Sequence, residues 1–262
     1  MSALDLDACL VAGERAARAG GEVVSAHFGR ARDVRMKAPG DWVSEADLAS
    51  EAAVRAVLER ETGLPVYGEE AGGAAFDTGW LVDPLDGTAN FLHGFDAVGV
   101  SVGLIEDGVP VAGVVHAPML GGRCYTAARG RGAFRDGAPI RVSERPAPTA
   151  IVATGFPFRR PDVRDRYERA LGRAFGRFED LRRAGAASLD LCWTAEGVFD
   201  GYFELALGPW DVAAGAVIVR EAGGVVTDWA GDDRAFLASG DILAGPPAIH
   251  AELAVIAAGT AS

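Results

Sequence analysis

The sequence predicts two unlike halves, an α+β half over residues 1–146 and an α/β half over residues 147–262. Three observations lead there. Two segments with helical spacing come first, and short apolar runs separated by turn pairs follow, the pattern of helices set on an antiparallel sheet. Beyond Pro146-Ala147-Pro148, apolar runs of strand length alternate with helical segments, the pattern of an α/β layer with some parallel pairing. The linker between the two patterns is short, so the halves should pack closely and any site should lie in the crevice between them.

Taken in order, Leu6, Leu10, Gly13, Ala17 and Val24 fall on one face and predict a helix over residues 4–28, with a weak point at Gly20-Gly21. A loop with Lys37, Pro39 and Gly40 follows. Ser44 and Asp47 then resemble a capping box with Asp in place of Glu, opening a second helix that Gly63 stops. Val66-Tyr67 and Trp80-Leu81-Val82 are strand-like, with Pro84 expected to end the pairing of the second run. Residues 98–105 and 109–116 flank Glu106-Asp107-Gly108 as a hairpin, and Asp136-Gly137 marks another turn after Cys124–Ala128 and Ala133-Phe134. In the second half, strands are expected at Ile151–Thr154, Tyr202-Phe203, Val225-Val226 and Ile242-Leu243. Helices are expected within 161–176 and near 187–196, 210–222 and 249–258.

The formal charge of −12 argues against a nucleic-acid or anionic-membrane partner, since both ask for a basic surface. It does not forbid an anionic substrate, because bound metal ions invert the local charge. Cys9, Cys124 and Cys192 are odd in number and form no CxxC, so reduced thiols and a cytoplasmic location are expected rather than disulfides or a zinc knuckle. The longest charge-free stretch, Gly108–Gly122, contains two prolines, so no membrane span is expected.

Three acidic clusters each sit at a strand or helix end: Gly68-Glu69-Glu70, the run from Trp80 through Asp83-Pro84-Leu85-Asp86-Gly87-Thr88, and Trp210-Asp211 after Pro209. Each alone has an ordinary reading. Asp-Pro and Asp-Gly are turn pairs, Thr88 suits an N-cap, a Glu pair is usually solvated, and Asp211 suits the first turn of a helix. Together they say more, because crowded carboxylates repel one another unless a cation compensates them. Asp83 and Asp86 would point into one small space with the Leu85 carbonyl between them. Gly87 would let backbone approach a ligand, and N–H groups of Gly87 and Thr88 would suit phosphate oxygens. Oxygen donors of this kind suit Mg²⁺. A covalent aspartyl-phosphate loop needs Asp two residues before Asp86, and Pro84 stands there.

The order and spacing of these three signatures resemble the inositol monophosphatase family, from about Lys37 to Gly224. The resemblance implies a layered α-β-α-β-α sandwich, usually a homodimer, dependent on Mg²⁺ and often sensitive to lithium. It assigns Glu69, Asp83 and the Leu85 carbonyl to a first metal, Asp83, Asp86 and Asp211 to a second, and Glu69 to a weaker third. Gly87 and Thr88 would bind phosphate. Asp86, Gly185, Ala186, Ala187, Glu204 and Asp211 would line the substrate, and Asp47 would pair with Thr88. Ala89 and Ala186 depart from the hydroxyl residues common at their positions.

The implied chemistry is hydrolysis of a phosphate monoester by a water that Glu69 and Thr88 orient, with no residue phosphorylated. Glu204, seven before Asp211, favours a polyol. The expected substrate is inositol 1-phosphate. Histidinol phosphate comes second, and fructose 1,6-bisphosphate, nucleotide 3′-phosphates and NADP are further alternatives. A non-catalytic regulatory homologue is the reading from another class. The expected partners are thus a small phosphate ester and a second copy of the chain, with neither nucleic acid nor membrane.

Overall fold

The structure is a computed structural model and describes residues 4–30, 33–38, 41–73 and 77–260. Helix α1 (Leu6–His27) is followed by the β1 (Arg35–Ala38)–β2 (Asp41–Val43) hairpin and α2 (Glu45–Thr62). The expected loop at Lys37 is therefore partly a strand, while Pro39 and Gly40 lie outside the described residues. Strands β3 (Val66–Gly68) and β4 (Gly79–Asp86), the short helix α3 (Thr88–His93), then β5 (Gly99–Glu106), β6 (Val109–Ala117), β7 (Arg123–Ala128), β8 (Gly132–Arg135) and β9 (Ala138–Pro139) follow. These seven strands form one sheet in chain order. β3 pairs parallel to β4, and every later pair is antiparallel. Asp107-Gly108 and Asp136-Gly137 all take positive φ in the tight turns.

The remaining chain builds β10 (Ile151–Thr154), α4 (Arg164–Phe175), β11 (Asp180–Arg182), α5 (Ala187–Ala195), β12 (Gly201–Glu204), α6 (Pro209–Glu221), β13 (Val225–Thr227), α7 (Phe236–Ser239), β14 (Ile242–Gly245) and α8 (Pro247–Ala258). A second sheet runs β11-β10-β12-β14-β13, parallel among its first three strands and antiparallel beyond.

Three apolar clusters stack the layers. Ala16, Ala17 and Val24 of α1 and Val54 and Leu58 of α2 pack on Val82, Val100, Val102 and Val114 of the first sheet. Leu189 and Leu191 of α5 and Val212 and Val219 of α6 fill the space between Val115 and Tyr125 of the first sheet and Tyr202 and Ala244 of the second. Ala170 and Ala174 of α4 and Ile249 and Leu253 of α8 cover the outer face through Val152, Phe203 and Leu243. The order is therefore α-β-α-β-α. Both sheets are covered on both faces, which explains why β4, β5 and β6 are buried along almost their full length instead of alternating.

Two local expectations are corrected. Gly20-Gly21 is not a weak point: α1 is continuous and both glycines are buried. A Cβ on Gly21 would stand 2.1 Å from His116 Nδ1, and one on Gly20 would stand 2.7 Å from Val54 Cγ2, so hydrogen is required there for close packing. Nor does Pro84 end β4. The strand runs on to Asp86 through a register shift between Asp83 and Asp86, and such an irregularity accommodates a residue without an N–H. Among the described residues no helix is long and apolar enough to cross a membrane.

Candidate active site

The site forms where four chain segments end together. β4 delivers Asp83 and Asp86, the turn after β3 delivers Glu69, α6 delivers Asp211, and α2 delivers Asp47. The register of β3 against β4 sets Gly68 beside Val82, and the Glu69 N–H donates to the Val82 carbonyl at 3.0 Å. Glu69 is thereby placed next to Asp83. Pro209 opens α6 at a position where its missing N–H costs nothing, and Asp211 accepts from the Gly208 N–H at 2.7 Å. Ser101 of β5 donates to the Trp210 carbonyl at 3.0 Å, which ties the start of α6 to the first sheet.

These constraints bring one carboxylate oxygen each of Glu69, Asp83 and Asp211 within 4.8 Å of one another. Asp83 is buried, and one of its oxygens accepts the Leu85 N–H at 2.9 Å. Asp86 lies alongside with a different occupation. Its Oδ2 accepts both the N–H and the hydroxyl of Ser188, at 2.7 and 2.5 Å, so the first turn of α5 is anchored to it. The Leu85 carbonyl accepts from the Thr88 hydroxyl at 3.2 Å, and the same hydroxyl reaches Asp47 Oδ1 at 3.2 Å. Asp47 is the expected capping-box residue: its other oxygen accepts from the Ser44 N–H and hydroxyl at 2.8 and 2.6 Å.

Gly87 has φ +87° and precedes α3, a backbone conformation that suits glycine. Its Cβ would also meet the Ala97 carbonyl at 2.8 Å. Asn90 of α3 donates to the carbonyls of Ala97 and Ala184 at 2.8 and 2.9 Å, joining the loop that carries Gly185 to the floor of the site. Gly185 has φ +85°, whereas the side chains of Ala186 and Ala187 are buried in the middle layer. Glu204 ends β12 with Oε2 accepting the Tyr202 hydroxyl at 2.5 Å. Asn90 and Ser188 are site-forming residues that sequence reasoning missed. Asn90 lies in the acidic run from Trp80 to Phe91 without being an acid, Ser188 lies in no motif, and only the tertiary fold brings the one to the Ala97 and Ala184 carbonyls and the other to Asp86.

The electrostatics are those of crowded acids. Burial first, and then the neighbouring carboxylates, push Asp83 and Asp211 well above the usual range. Burial also raises Asp86 despite its bonds from Ser188. It pushes Glu69 up to about 7, although Lys37 opposes the shift, donating to Glu69 at 3.1 Å and to Glu70 at 2.7 Å. Glu204 is likewise raised to about 7 by burial. Asp47 is raised by burial against the pull of its Ser44 and Thr88 bonds. Three hard oxygen donors at this spacing, each disfavoured as a free anion, match the donor set that Mg²⁺ takes.

The sequence profile of the inositol monophosphatase family matches residues 5–260. The chain belongs to that family. Its solved structural relatives include the extragenic suppressor protein suhB of Bartonella henselae, at TM-score 0.88 and 34% identity, covering 94% of this chain and 97% of that one. An inositol monophosphatase (IMPase) of Thermotoga maritima gives TM-score 0.86 at 31% identity over 94% of this chain and 95% of that one. Among curated sequences, the putative Nus factor SuhB of Neisseria meningitidis is 42% identical over 246 residues, 91% of this chain and 94% of its own length. The Nus factor SuhB of Escherichia coli is 37% identical over 90% of each chain.

These relatives correct one expectation. The exclusion of a nucleic-acid partner does not stand, because proteins similar over nine-tenths of the chain bear the name Nus factor. The exclusion rested on net charge, which sums over a surface that is not uniform. Residues 159–183 carry nine arginines against five acidic residues.

Proposed function

We propose that this chain is a cytoplasmic, Mg²⁺-dependent phosphate monoester hydrolase acting on a small polyol phosphate, with inositol 1-phosphate the first substrate to test. The carrying observation is the convergence of Glu69, Asp83 and Asp211 to within 4.8 Å. In this reading Glu69, Asp83 and the Leu85 carbonyl hold one ion, and Asp83, Asp86 and Asp211 hold another. Bound there, Mg²⁺ would supply acidity to a coordinated water and neutralise charge on the phosphoryl oxygens.

The chain's own groups do the rest. The Thr88 hydroxyl, held toward Asp47, orients the attacking water together with Glu69, which accepts its proton. The N–H groups of Gly87 and Thr88 receive phosphate oxygens, a role suited to groups at the start of a helix. Glu204, fixed by Tyr202, and the backbone of Gly185 through Ala187 face the alcohol that leaves. Lithium inhibition and a homodimeric state go with this reading.

The test is phosphate release from a panel of inositol 1-phosphate, histidinol phosphate, fructose 1,6-bisphosphate, a nucleoside 3′-phosphate and NADP, each with Mg²⁺ and with chelator. Mg²⁺-dependent turnover of inositol 1-phosphate above the others is expected. Absence of turnover throughout sinks the reading.

A second reading is favoured by the relatives named Nus factor: a role exercised through binding the transcription machinery, alongside or instead of hydrolysis. Co-purification of RNA polymerase with the wild-type chain and with Asp83→Asn separates the two, since a role independent of hydrolysis survives the substitution.

A further inference from the structure

Glu51 lies on α2 outside the carboxylate cluster, and only 2% of it is exposed. Its oxygens serve one short loop and one neighbour on its own helix. Oε2 accepts from the Glu70 N–H at 2.8 Å, both oxygens receive the Ala71 N–H at 3.2 and 3.3 Å, and Oε1 accepts from Arg55 at 3.0 Å. Arg55 then donates to the Val66 carbonyl at the start of β3, at 2.8 Å, and to the Gly72 carbonyl at the far end of that loop, at 2.9 Å. Gly68 and Gly72 close it with reciprocal backbone bonds of 3.1 and 3.0 Å. Gly68 has a steric reason to be glycine, because its Cβ would stand 2.2 Å from the Glu51 carboxyl carbon. The carboxylate fills the place that a side chain would take.

Glu69 is the residue between these anchors. Glu70 on one side is bonded to Glu51, Gly68 on the other is bonded to Gly72, whose carbonyl Arg55 holds, and the N–H of Glu69 itself is pinned to Val82. A half-buried acid crowded against Asp83 and Asp211 would relax outward if its backbone were free. Two successive backbone N–H groups bonded to one buried side chain hold the turn in place. We propose that Glu51, supported by Arg55, is a positioning residue that holds Glu69 at the metal site. This deepens the hydrolase reading and rests on Glu69 being a metal ligand there.

The test is Glu51→Gln, read by calorimetric titration of the metal-free protein with Mg²⁺ and by amide exchange at Glu70 and Ala71. The amide keeps the shape but turns an NH₂ toward N–H donors. Faster exchange at those two amides is expected, with Mg²⁺ affinity lower by about 10–100-fold. At saturating Mg²⁺, KM for the phosphate ester should be unchanged while kcat falls. If Glu51→Gln does not fold, Arg55→Lys serves: it keeps the Glu51 side chain on the Glu70 and Ala71 N–H groups and loosens the bonds of Arg55 to Glu51, Val66 and Gly72, with a smaller loss in the same direction expected. Unchanged Mg²⁺ affinity in the folded variant overturns the proposal, whether or not the amides exchange faster. A wild-type protein that binds no Mg²⁺ overturns instead the hydrolase reading beneath it.

Discussion

Asp83→Asn should move stability and activity in opposite directions. Asp83 is 2% exposed and places a carboxylate oxygen within 4.8 Å of partners on Glu69 and Asp211. At an effective dielectric of about 20, two full charges at that distance repel by about 3 kcal/mol. The metal-free cluster relieves part of this by taking up protons, as the raised Asp83 and Asp211 carboxyls indicate. The remaining relief from removing one charge is about 1–3 kcal/mol. The Asn carbonyl still accepts the Leu85 N–H, so no buried donor is orphaned. In chelator at pH 8, the variant should therefore melt several degrees above wild type, at about 2–4 °C per kcal/mol for a chain of this size. With Mg²⁺ the gap should close or invert. Wild type gains about 2.7 kcal/mol at a metal concentration 100 times its Kd, and the variant gains little. Turnover should fall by roughly 10³-fold or more, since in the proposed scheme Asp83 serves both ions and metal stabilisation of the transition state amounts to several kcal/mol. Calorimetric melting in chelator and in Mg²⁺, with phosphate release alongside, reads all three. A variant that melts below wild type in chelator would refute the argument, because Asp83 would then be a structural acid and not a strained one.

The pH dependence of the metal-free protein has a definite sign. Glu69 and Glu204 titrate near 7 in the fold against about 4.3 in the unfolded chain. The folded state thus binds more protons between these values, and stability should fall as pH rises from 5 to 7; thermal melts in chelator that rise instead refute the assignment, and saturating Mg²⁺ should flatten the slope. Thr88→Val removes the hydroxyl that reaches Asp47 at 3.2 Å and should lower kcat by about 10²-fold with KM little changed, read by steady-state kinetics. Gly21→Ala drives a methyl toward His116 at 2.1 Å and should cost about 1–3 kcal/mol in urea denaturation with kcat unaffected. We propose the division at residue 146 as an organisational boundary only. Residues 1–146 expressed alone would lose α6 from the face of the first sheet and should give a poorly dispersed amide spectrum.

Much of the fold follows from period and punctuation. Capping at Ser44-Asp47, the stop at Gly63 and the positive-φ turns at Asp107-Gly108 and Asp136-Gly137 are local chemistry, and the structure has them where the sequence puts them. The elements that sequence reasoning missed are those whose reasons are tertiary. β1, β2, β11 and α7 are three or four residues long and carry no periodic signal. Gly20-Gly21 looked like a break because helix propensity counts against glycine, yet packing against α2 and β6 prevails. The acidic members of the site could be read because carboxylates cluster at element ends. Glu51, Asn90 and Ser188 could not, since a buried Glu within a helix, an Asn and a Ser match no motif until the fold points them at a loop, two carbonyls and Asp86.

The misreading of partners has a physical origin that also bears on the site. A partner in solution at physiological salt reads charge over a screening length of about 8 Å, not over the whole molecule. The sum of −12 averages over unlike regions. Glu69, Asp83 and Asp211 crowd one site, and nine arginines crowd residues 159–183, eight of them exposed. Several are spent on local pairs, as Arg160 with Asp162 and Arg166 with Asp241. Arg183 instead lies over the rings of Phe156 and Phe158 at 5.9 and 5.8 Å. The same chain therefore presents a partly buried anionic pocket and an exposed arginine-rich segment. Filling the pocket with divalent ions would reduce the first field and leave the second untouched, so a net charge computed from sequence underestimates how strongly the metal-loaded protein attracts an anion of any size.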